Sequence, residues 1–167
     1  MEQSIPALLI ASIMIIGSVL IAGATNSSIS MVNESWRDME AMSEERLGTD
    51  LTVVSTSVSG DSLEVTAVVA NKGRTPLGKY EHMDMIVNYE GLDAHRHLVW
   101  VPYSEVSPQP DNSWKLSGIT NDYRNPGIVD TGEEATVVVK LSPGVQTGPE
   151  RWIVIATENG VVYTVYF

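Results

Sequence analysis

The sequence predicts an α+β protein in which a long N-terminal hydrophobic α-helix precedes an all-β sandwich of immunoglobulin-like type. Residues 5–24 are uncharged and almost entirely apolar, and residues 25–47 contain neither glycine nor proline. Beyond Gly48, short runs of β-forming residues alternate with turn residues, the pattern of a sandwich. We therefore expect two domains, the helix over residues 1–48 and the sandwich over 49–167.

The first half of the predicted helix is a continuous apolar segment. Residues 5–24 read IPALLIASIMIIGSVLIAGA, with Ser12 and Ser18 as the polar members. About 20 apolar residues suffice to cross the hydrocarbon core of a bilayer. Pro6 lies near the start, where a helix tolerates proline. Small residues are scattered among the leucines and isoleucines, and such residues allow helix backbones to approach closely.

The second half of the helix is amphipathic. Within residues 25–47, apolar side chains recur at three- and four-residue spacing, at Ile29, Val32, Trp36 and Met39, as one helix face requires. Gly48 is a typical helix stop. The polar residues 25–28 are the weakest part, and a break there is the alternative to one continuous helix.

Three interpretations of the N-terminal segment compete. A secretory signal peptide carries basic residues before a shorter apolar core, whereas no Lys or Arg precedes Arg37. A plain membrane anchor is the second interpretation. The third, which we favour, is a chain whose basic leader has been removed and whose helix leaves the membrane to join a bundle of identical helices. The residues predicted to pack in that bundle are Ile5, Leu8, Leu9, Ala11, Ile13, Ile16, Gly17, Leu20, Ile21, Gly23, Ile29, Val32 and Trp36.

Residues 49–167 carry eight segments that favour strands. Each is rich in β-branched or aromatic residues and is bounded by Gly, Pro, Asn or Asp. The first two and the last two segments are each separated by a short turn, which predicts hairpins. The predicted strands are 51–58, 63–71, 82–91, 96–103, 114–119, 134–141, 151–157 and 161–167.

The net charge of -11 excludes several partners. Binding to nucleic acid needs clustered Lys and Arg, and peripheral docking on anionic lipid needs a polybasic patch. The chain contains no cysteine, which removes disulfides and thiolate chemistry.

Motifs for catalysis or cofactor binding are absent from the sequence. It lacks the nucleotide-binding glycine loops, the HExxH zinc motif and the GxSxG nucleophile motif. His95 and His97 share one face of a predicted strand, a spacing compatible with a metal, but exposed strand positions explain them better. Five acidic residues in late loops are interpreted as turn formers rather than calcium ligands, namely Asp111, Asp122, Asp130, Glu133 and Glu134. We therefore predict no enzyme, no cofactor and no metal site.

Two Asn-x-Ser sequons, at Asn26 and Asn33, are possible N-glycosylation sites. Both fall on the predicted helix. A helix buried in a bundle would leave them little room for a glycan.

The order of these elements resembles the type IV pilin superfamily, and most closely the archaellins, the archaeal-type flagellins. The resemblance is carried by LEVTAVVANKGRTPL (63–77), which ends in an N-x-G-x-T-x-L turn. It is also carried by WKLSGITNDYRNPGIVDTGE (114–133) and by the closing WIVIATENGVVYTVYF (152–167). Bacterial type IV pilins place Glu at the fifth mature position, where this chain has Ile5.

The resemblance implies a structural subunit of an extracellular, archaellum-like filament for swimming motility. Many copies of the chain would form a helical polymer at the cell surface, with a membrane-inserted precursor before assembly. A leader peptidase and a secretion and assembly machinery are implied as partners. Two alternatives share the layout: an adhesive pilin of a type IV pilus, and a membrane-anchored extracellular β-sandwich binding or stator protein of the same machinery.

Overall fold

A single helix forms the N-terminal part of the computed structural model, which describes residues 4–148 and 150–167, with the side chains of residues 4–7 outside the description. Helix α1 spans Ser4–Gly48 without interruption. The alternative break at 25–28 does not occur. There the hydroxyls of Thr25 and Ser28 donate to the carbonyl oxygens four residues earlier, at 2.8 and 3.0 Å. These side chains add to the helical hydrogen bonds instead of competing with them.

Eight strands follow in the described part of the chain. Their bounds agree with the predicted segments to within about two residues. The strands are β1 Leu51–Val58, β2 Glu64–Asn71, β3 Asp84–Glu90, β4 Arg96–Val101, β5 Ser113–Thr120, β6 Glu134–Lys140, β7 Trp152–Ala156 and β8 Val162–Tyr166. A 3₁₀ turn at Tyr80–His82 delays the start of β3.

The strands form two antiparallel sheets. The first sheet has the order β1-β2-β6-β5 and the second sheet the order β4-β3-β7-β8. This arrangement matches the A-B-E-D and C-F-G sheets of an immunoglobulin-like sandwich, with one extra strand beside C. Both predicted hairpins, β1–β2 and β7–β8, are present. The predicted fold class is confirmed.

The core lies between the two sheets and is built from alternating residues of each strand. Val65, Val87 and Val139 are among its fully buried members. Trp114 is also buried, with its ring centroid 4.7 Å from that of Tyr103. A close-packed interior of this kind supplies most of the stability of a small domain.

Contacts between residues divide the chain into two compact units, Met1–Ser43 and Glu44–Phe167. In its described part, from Ser4 on, the first unit consists of helix. The second unit contains the sandwich together with the last turn of α1.

Candidate functional site

The apolar part of α1 is exposed on every side. The successive residues Leu8, Leu9 and Ile10 point about 100° apart around the helix axis, and each is about 60% exposed or more. The helix is long and apolar enough to cross a membrane, and none of its apolar stretch is buried within the described chain. Because a helix that is apolar all round is normally covered by lipid or by protein, this surface requires surroundings from outside the chain.

The residues predicted to pack in a helix bundle all fall on α1. Ile5 belongs to the helix, but its side chain lies outside the description. Gly17 is half-buried and the remaining members are exposed. Their packing against other copies stays a prediction. The sequons at Asn26 and Asn33 are exposed on the same helix, and their glycosylation also stays a prediction.

The hydroxyl groups within the apolar stretch are satisfied by the helix itself. Ser12 donates to the carbonyl oxygen of Leu8 at 2.8 Å, and Ser18 to that of Met14 at 2.7 Å. An unpaired hydroxyl in hydrocarbon costs several kcal/mol. The polar side chains of this stretch are therefore compatible with a lipid environment.

The last turn of α1 is held by the loop that follows β2. The carbonyl oxygen of Gly48 accepts hydrogen bonds from the backbone amides of Arg74 and Thr75, at 2.7 and 3.1 Å. The Thr75 hydroxyl donates to the carbonyl oxygen of Glu45 at 3.0 Å. These bonds satisfy carbonyl groups that the end of a helix leaves without partners.

Asn71 organises this loop. Its side-chain amide is buried and donates to the carbonyl oxygens of Thr75 and Val129 at 2.9 and 3.0 Å, and it accepts from the Gly73 amide at 3.0 Å. A side chain at Gly73 would lie 2.5 Å from the Asp50 nitrogen. The N-x-G-x-T motif therefore has a structural role: it forms the loop of residues 71–75 that binds the end of the helix, which we call the seat.

The turn between β7 and β8 contacts the same helix end. Arg46 donates through Nε to the carbonyl oxygen of Asn159 at 2.8 Å. The Tyr163 hydroxyl donates to the carbonyl oxygen of Thr49 at 3.0 Å. The chain therefore joins the sandwich at the end of the second sheet that carries the β7–β8 turn.

The outer face of the second sheet is unusually apolar. In register, Trp100, Ile86, Val154 and Thr164 form one row across the sheet. A second row contains Leu98, Asn88, Trp152 and Tyr166. We refer to seven residues as the apolar face: Ile86, Leu98, Trp100, Trp152, Val154, Val162 and Tyr166.

Two members of the apolar face, Trp100 and Leu98, are exposed by 58% and 65%. The Trp100 indole donates to the Asp84 carboxylate at 3.0 Å, which holds the ring in place on the surface. Sequence reasoning assigned no function to this face. The sequence of β4 nevertheless indicated an apolar outer face. Leu98 and Trp100 alternate with the inward-facing Val99 and Val101, so both sides of the strand are apolar.

The two histidines singled out from the sequence do not share a strand face. His95 precedes β4 and is exposed, as predicted. The exposed position predicted for His97 is wrong: pairing with Tyr89 stacks the two rings at 5.3 Å. His97 also bonds the Asp93 carboxylate at 3.0 Å, which lowers the pKa of Asp93. Among the described residues, no three His, Asp or Glu side chains are grouped to hold a metal.

Three of the five acidic residues interpreted as turn formers bond backbone or side-chain groups within one loop. Asp122 accepts from the Gly127 amide at 2.9 Å, Asp130 from the Asn125 side chain at 2.7 Å, and Glu133 from the Asp130 amide at 2.9 Å. These contacts agree with the predicted turn-forming role.

The other two acidic residues behave differently. Asp111 forms an ion pair with Lys140 at 2.8 Å. Glu134 is the first residue of β6, where the predicted strand 134–141 begins. Its interpretation as a loop residue is wrong, because it pairs with Thr120 and Ala70 in the sheet.

Comparison with known proteins gives matches among solved structures. No protein-family model and no curated protein matches the chain. The archaellum periplasmic stator protein FlaG from Sulfolobus acidocaldarius is similar with a TM-score of 0.51 and 21% identity, over 70% of this chain and 99% of that chain. A chain of the archaellum periplasmic stator complex of FlaF and FlaG from the same organism gives a TM-score of 0.50 and 20% identity, over 69% and 87%. At these identities the likeness concerns the fold.

Proposed function

We propose that this chain is a membrane-anchored stator protein of an archaellum-like motility machine, with its β-sandwich outside the membrane. In this proposal, residues 1–48 are the anchor and residues 49–167 are the binding domain. The observation that carries the proposal is the likeness of the fold to an archaellum periplasmic stator protein over 99% of that chain.

The surface of α1 supports the anchoring role. Its apolar residues surround the helix instead of forming one stripe, and lipid covers all sides of a helix equally. The satisfied hydroxyls of Ser12 and Ser18 agree with a lipid environment. The 45-residue helix is about 68 Å long at 1.5 Å per residue, so its amphipathic half extends beyond a hydrocarbon core of about 30 Å.

The attachment of the last helical turn supports a mechanical role for the sandwich. A stator must resist displacement, and a flexible entry of the chain into the sandwich would weaken that resistance. Here the turn that leads into the sandwich is bonded from two sides, by Thr75 and by Asn159.

The second candidate is the filament subunit predicted from the sequence. The small residues Ala11, Gly17 and Gly23 favour it, because they allow close packing of helices. In that case α1 would leave the membrane and pack with many copies, and the protein would be extracellular. The adhesive pilin is a variant of the same assembly.

Fractionation of cells separates these candidates. The stator proposal expects the chain in the cell envelope, released by detergent and resistant to an alkaline wash, and scarce in filaments sheared from the cells. A chain that is the major component of sheared filaments, and that forms fibres without detergent, would refute the stator proposal in favour of the filament subunit. A chain that an alkaline wash releases from membranes would refute the anchor.

A further inference from the structure

We propose that the Asn159–Gly160 pair is a site of deamidation, which contacts with the end of α1 keep closed, and that its reaction releases that end from the sandwich. The inference goes beyond the proposed function and applies to a membrane anchor and to a filament helix alike. Asn159–Gly160 is the only Asn-Gly pair in the sequence. It lies in the turn between β7 and β8, which contacts the end of the helix.

Deamidation of an Asn-Gly pair needs water but neither a cofactor nor an enzyme. The glycine amide nitrogen loses its proton and attacks Cγ of the asparagine side chain. The new N–Cγ bond closes a succinimide ring, the Cγ–Nδ2 bond breaks, and ammonia leaves. Water then opens the ring at either carbonyl group, which gives aspartate or isoaspartate. Glycine favours the attack because it has no side chain to obstruct its nitrogen.

The attacking nitrogen of this pair is held in a hydrogen bond. The Gly160 amide donates to the carbonyl oxygen of Thr157 at 2.8 Å. Thr157 also closes the turn, because its amide donates to the Val161 carbonyl oxygen at 2.9 Å and its hydroxyl accepts from the Val161 amide at 3.1 Å. Gly160 has a φ of 79°, a conformation that favours glycine. The nitrogen therefore cannot approach Cγ until the turn opens.

The side-chain amide that would be attacked is held by the end of α1. Nδ2 of Asn159 donates to the carbonyl oxygen of Glu45 at 3.3 Å and to the hydroxyl of Thr49. Arg46 binds the main chain of the same residue, with Nε 2.8 Å from the carbonyl oxygen of Asn159. The two groups that must meet for ring closure are therefore fixed separately, one by the turn and the other by the helix.

Hydrogen bonds, and not burial, keep the pair closed. Gly160 is exposed and Asn159 is only half-buried, so water reaches the pair as soon as the contacts open. The rate of deamidation should then follow the fraction of molecules in which the turn is open. The reaction therefore reports on the junction between the sandwich and the end of α1.

The product cannot keep the contacts of Asn159. An oxygen replaces Nδ2, so the carbonyl oxygen of Glu45 faces an acceptor in place of a donor. The Thr49 hydroxyl cannot supply the missing proton, because it already donates to that carbonyl oxygen at 2.8 Å. Glu45 and Glu158 line the same cleft as residue 159, which adds repulsion between like charges.

Deamidation would therefore change the junction irreversibly. Once ammonia has left, the amide does not re-form, and the end of α1 has lost its contacts with the Asn159 side chain. A segment freed in this way becomes flexible and open to proteases. The Asn159–Gly160 pair thus gives the junction a limited lifetime.

Peptide mapping by mass spectrometry tests whether the site is closed. The full-length chain in detergent is incubated at mildly alkaline pH, both folded and unfolded in guanidinium chloride. Asn159 should deamidate at least about tenfold more slowly in the folded chain. Arg46→Met removes a contact with the turn and should raise the rate in the folded chain several-fold. Arg124→Met, in the exposed loop after β5, is the matched control and should leave the rate unchanged.

Hydrogen exchange of the Asn159→Asp variant, which reproduces one product, tests the release. The amides of Arg74 and Thr75 bond the last carbonyl group of α1. They should exchange at least about tenfold faster in this variant, while the amides of β6 keep their protection. Asn112→Asp is the matched control, because Asn112 uses Oδ1 to accept from the Ser142 amide at 3.0 Å, which a carboxylate can also do.

Different outcomes overturn different parts of the inference. If Asn159 stays intact in guanidinium chloride, it is not a deamidation site. If the folded chain deamidates as fast as the unfolded chain, or if Arg46→Met leaves the rate unchanged, the contacts do not close the site. If Asn159→Asp leaves the exchange of the Arg74 and Thr75 amides unchanged, for instance because Arg46 pairs with the new carboxylate, the release is wrong. Faster exchange throughout β6 would show unfolding of the sandwich and would also overturn the release.

Discussion

The apolar helix and the β-sandwich bury their hydrophobic side chains in opposite ways. The sandwich covers its own, so that Val65, Val87 and Val139 have no exposed surface. The helix satisfies the hydroxyls of its apolar stretch internally but leaves side chains such as Leu20 and Ile21 about 70% exposed. The sandwich is therefore stabilised by its own core, whereas the apolar side chains of the helix need lipid or other helices to cover them.

This difference predicts that substitutions in the two regions have separable effects. A change in the core of the sandwich should act on its unfolding and leave membrane association intact. A change in the helix should act on membrane association and leave unfolding of the sandwich intact. The following variants test this separation.

The largest effect is expected in the core of the sandwich. Trp114→Ala should lower the free energy of unfolding by about 3–5 kcal/mol, because the indole is buried between Tyr80 and Tyr103 and leaves a large cavity. Urea denaturation of the detergent-solubilised chain measures the loss. Trp100→Ala, on the surface, should change the free energy of unfolding by no more than about 0.5 kcal/mol. Equal losses would contradict the assignment of Trp114 to the core.

The next effect is expected in the helix. Ile16→Arg should raise the free energy of membrane insertion by about 2.5–3.5 kcal/mol, because it places a charge near the centre of the apolar stretch. The fraction of chain resistant to an alkaline wash measures insertion, with Ile16→Leu as the control. If Ile16→Arg shifted the urea midpoint of the sandwich as much as Trp114→Ala is expected to, the two regions would not be independent.

A smaller effect is expected where the end of the helix meets its seat. Gly73→Ala should cost about 1–3 kcal/mol of unfolding free energy, because its methyl group would lie 2.5 Å from the Asp50 nitrogen. Gly60→Ala is the matched control, since no atom lies within 4 Å of its added methyl group. Unfolding of both variants by urea gives the comparison. Similar stabilities would show that the seat tolerates a side chain.

The smallest effect is confined to alkaline pH. Burial raises the pKa of Tyr80 and of Tyr103 to about 12, from an ordinary value of 10.0. The folded state therefore favours the neutral phenols, and this contribution is complete below pH 10 and is lost as pH rises from 10.0 to about 12. Ultraviolet titration should show exposed tyrosines ionising first, with the late fraction reduced in Tyr80→Phe. One transition near pH 10 for all tyrosines would contradict the raised pKa of Tyr80 and of Tyr103.

Most of the fold was predictable because its signals are local. Alternation of residues and turn chemistry mark each strand, as in β1, whose predicted bounds 51–58 are those observed. Gly48 marks the end of α1 for the same reason. The predicted start of β3 was less accurate, because a 3₁₀ turn precedes the strand and contains Tyr80, whose hydroxyl donates to the Gly127 carbonyl oxygen far along the chain.

The candidate sites were harder to predict because they depend on distant residues. Arg46 and Asn159 bond each other across most of the chain, and no sequence window contains both. The position of His97 follows from its pairing with Tyr89 across a hairpin. The predicted packing residues from Leu8 to Trp36 belong to α1, but their packing against other helices stays a prediction, because no contact within the described chain involves it.

The seat for the end of the helix also limits how proteolysis could separate the sandwich from α1. Only Thr49 and Asp50 separate α1 from β1 in the described chain, and their carbonyl oxygens accept hydrogen bonds from Tyr163 and Lys72. Proteases cut preferentially in exposed, flexible segments, and none is present at this point. Shedding of the sandwich therefore requires local unfolding first, and a truncated soluble form should begin at Glu44 so that the last turn is retained.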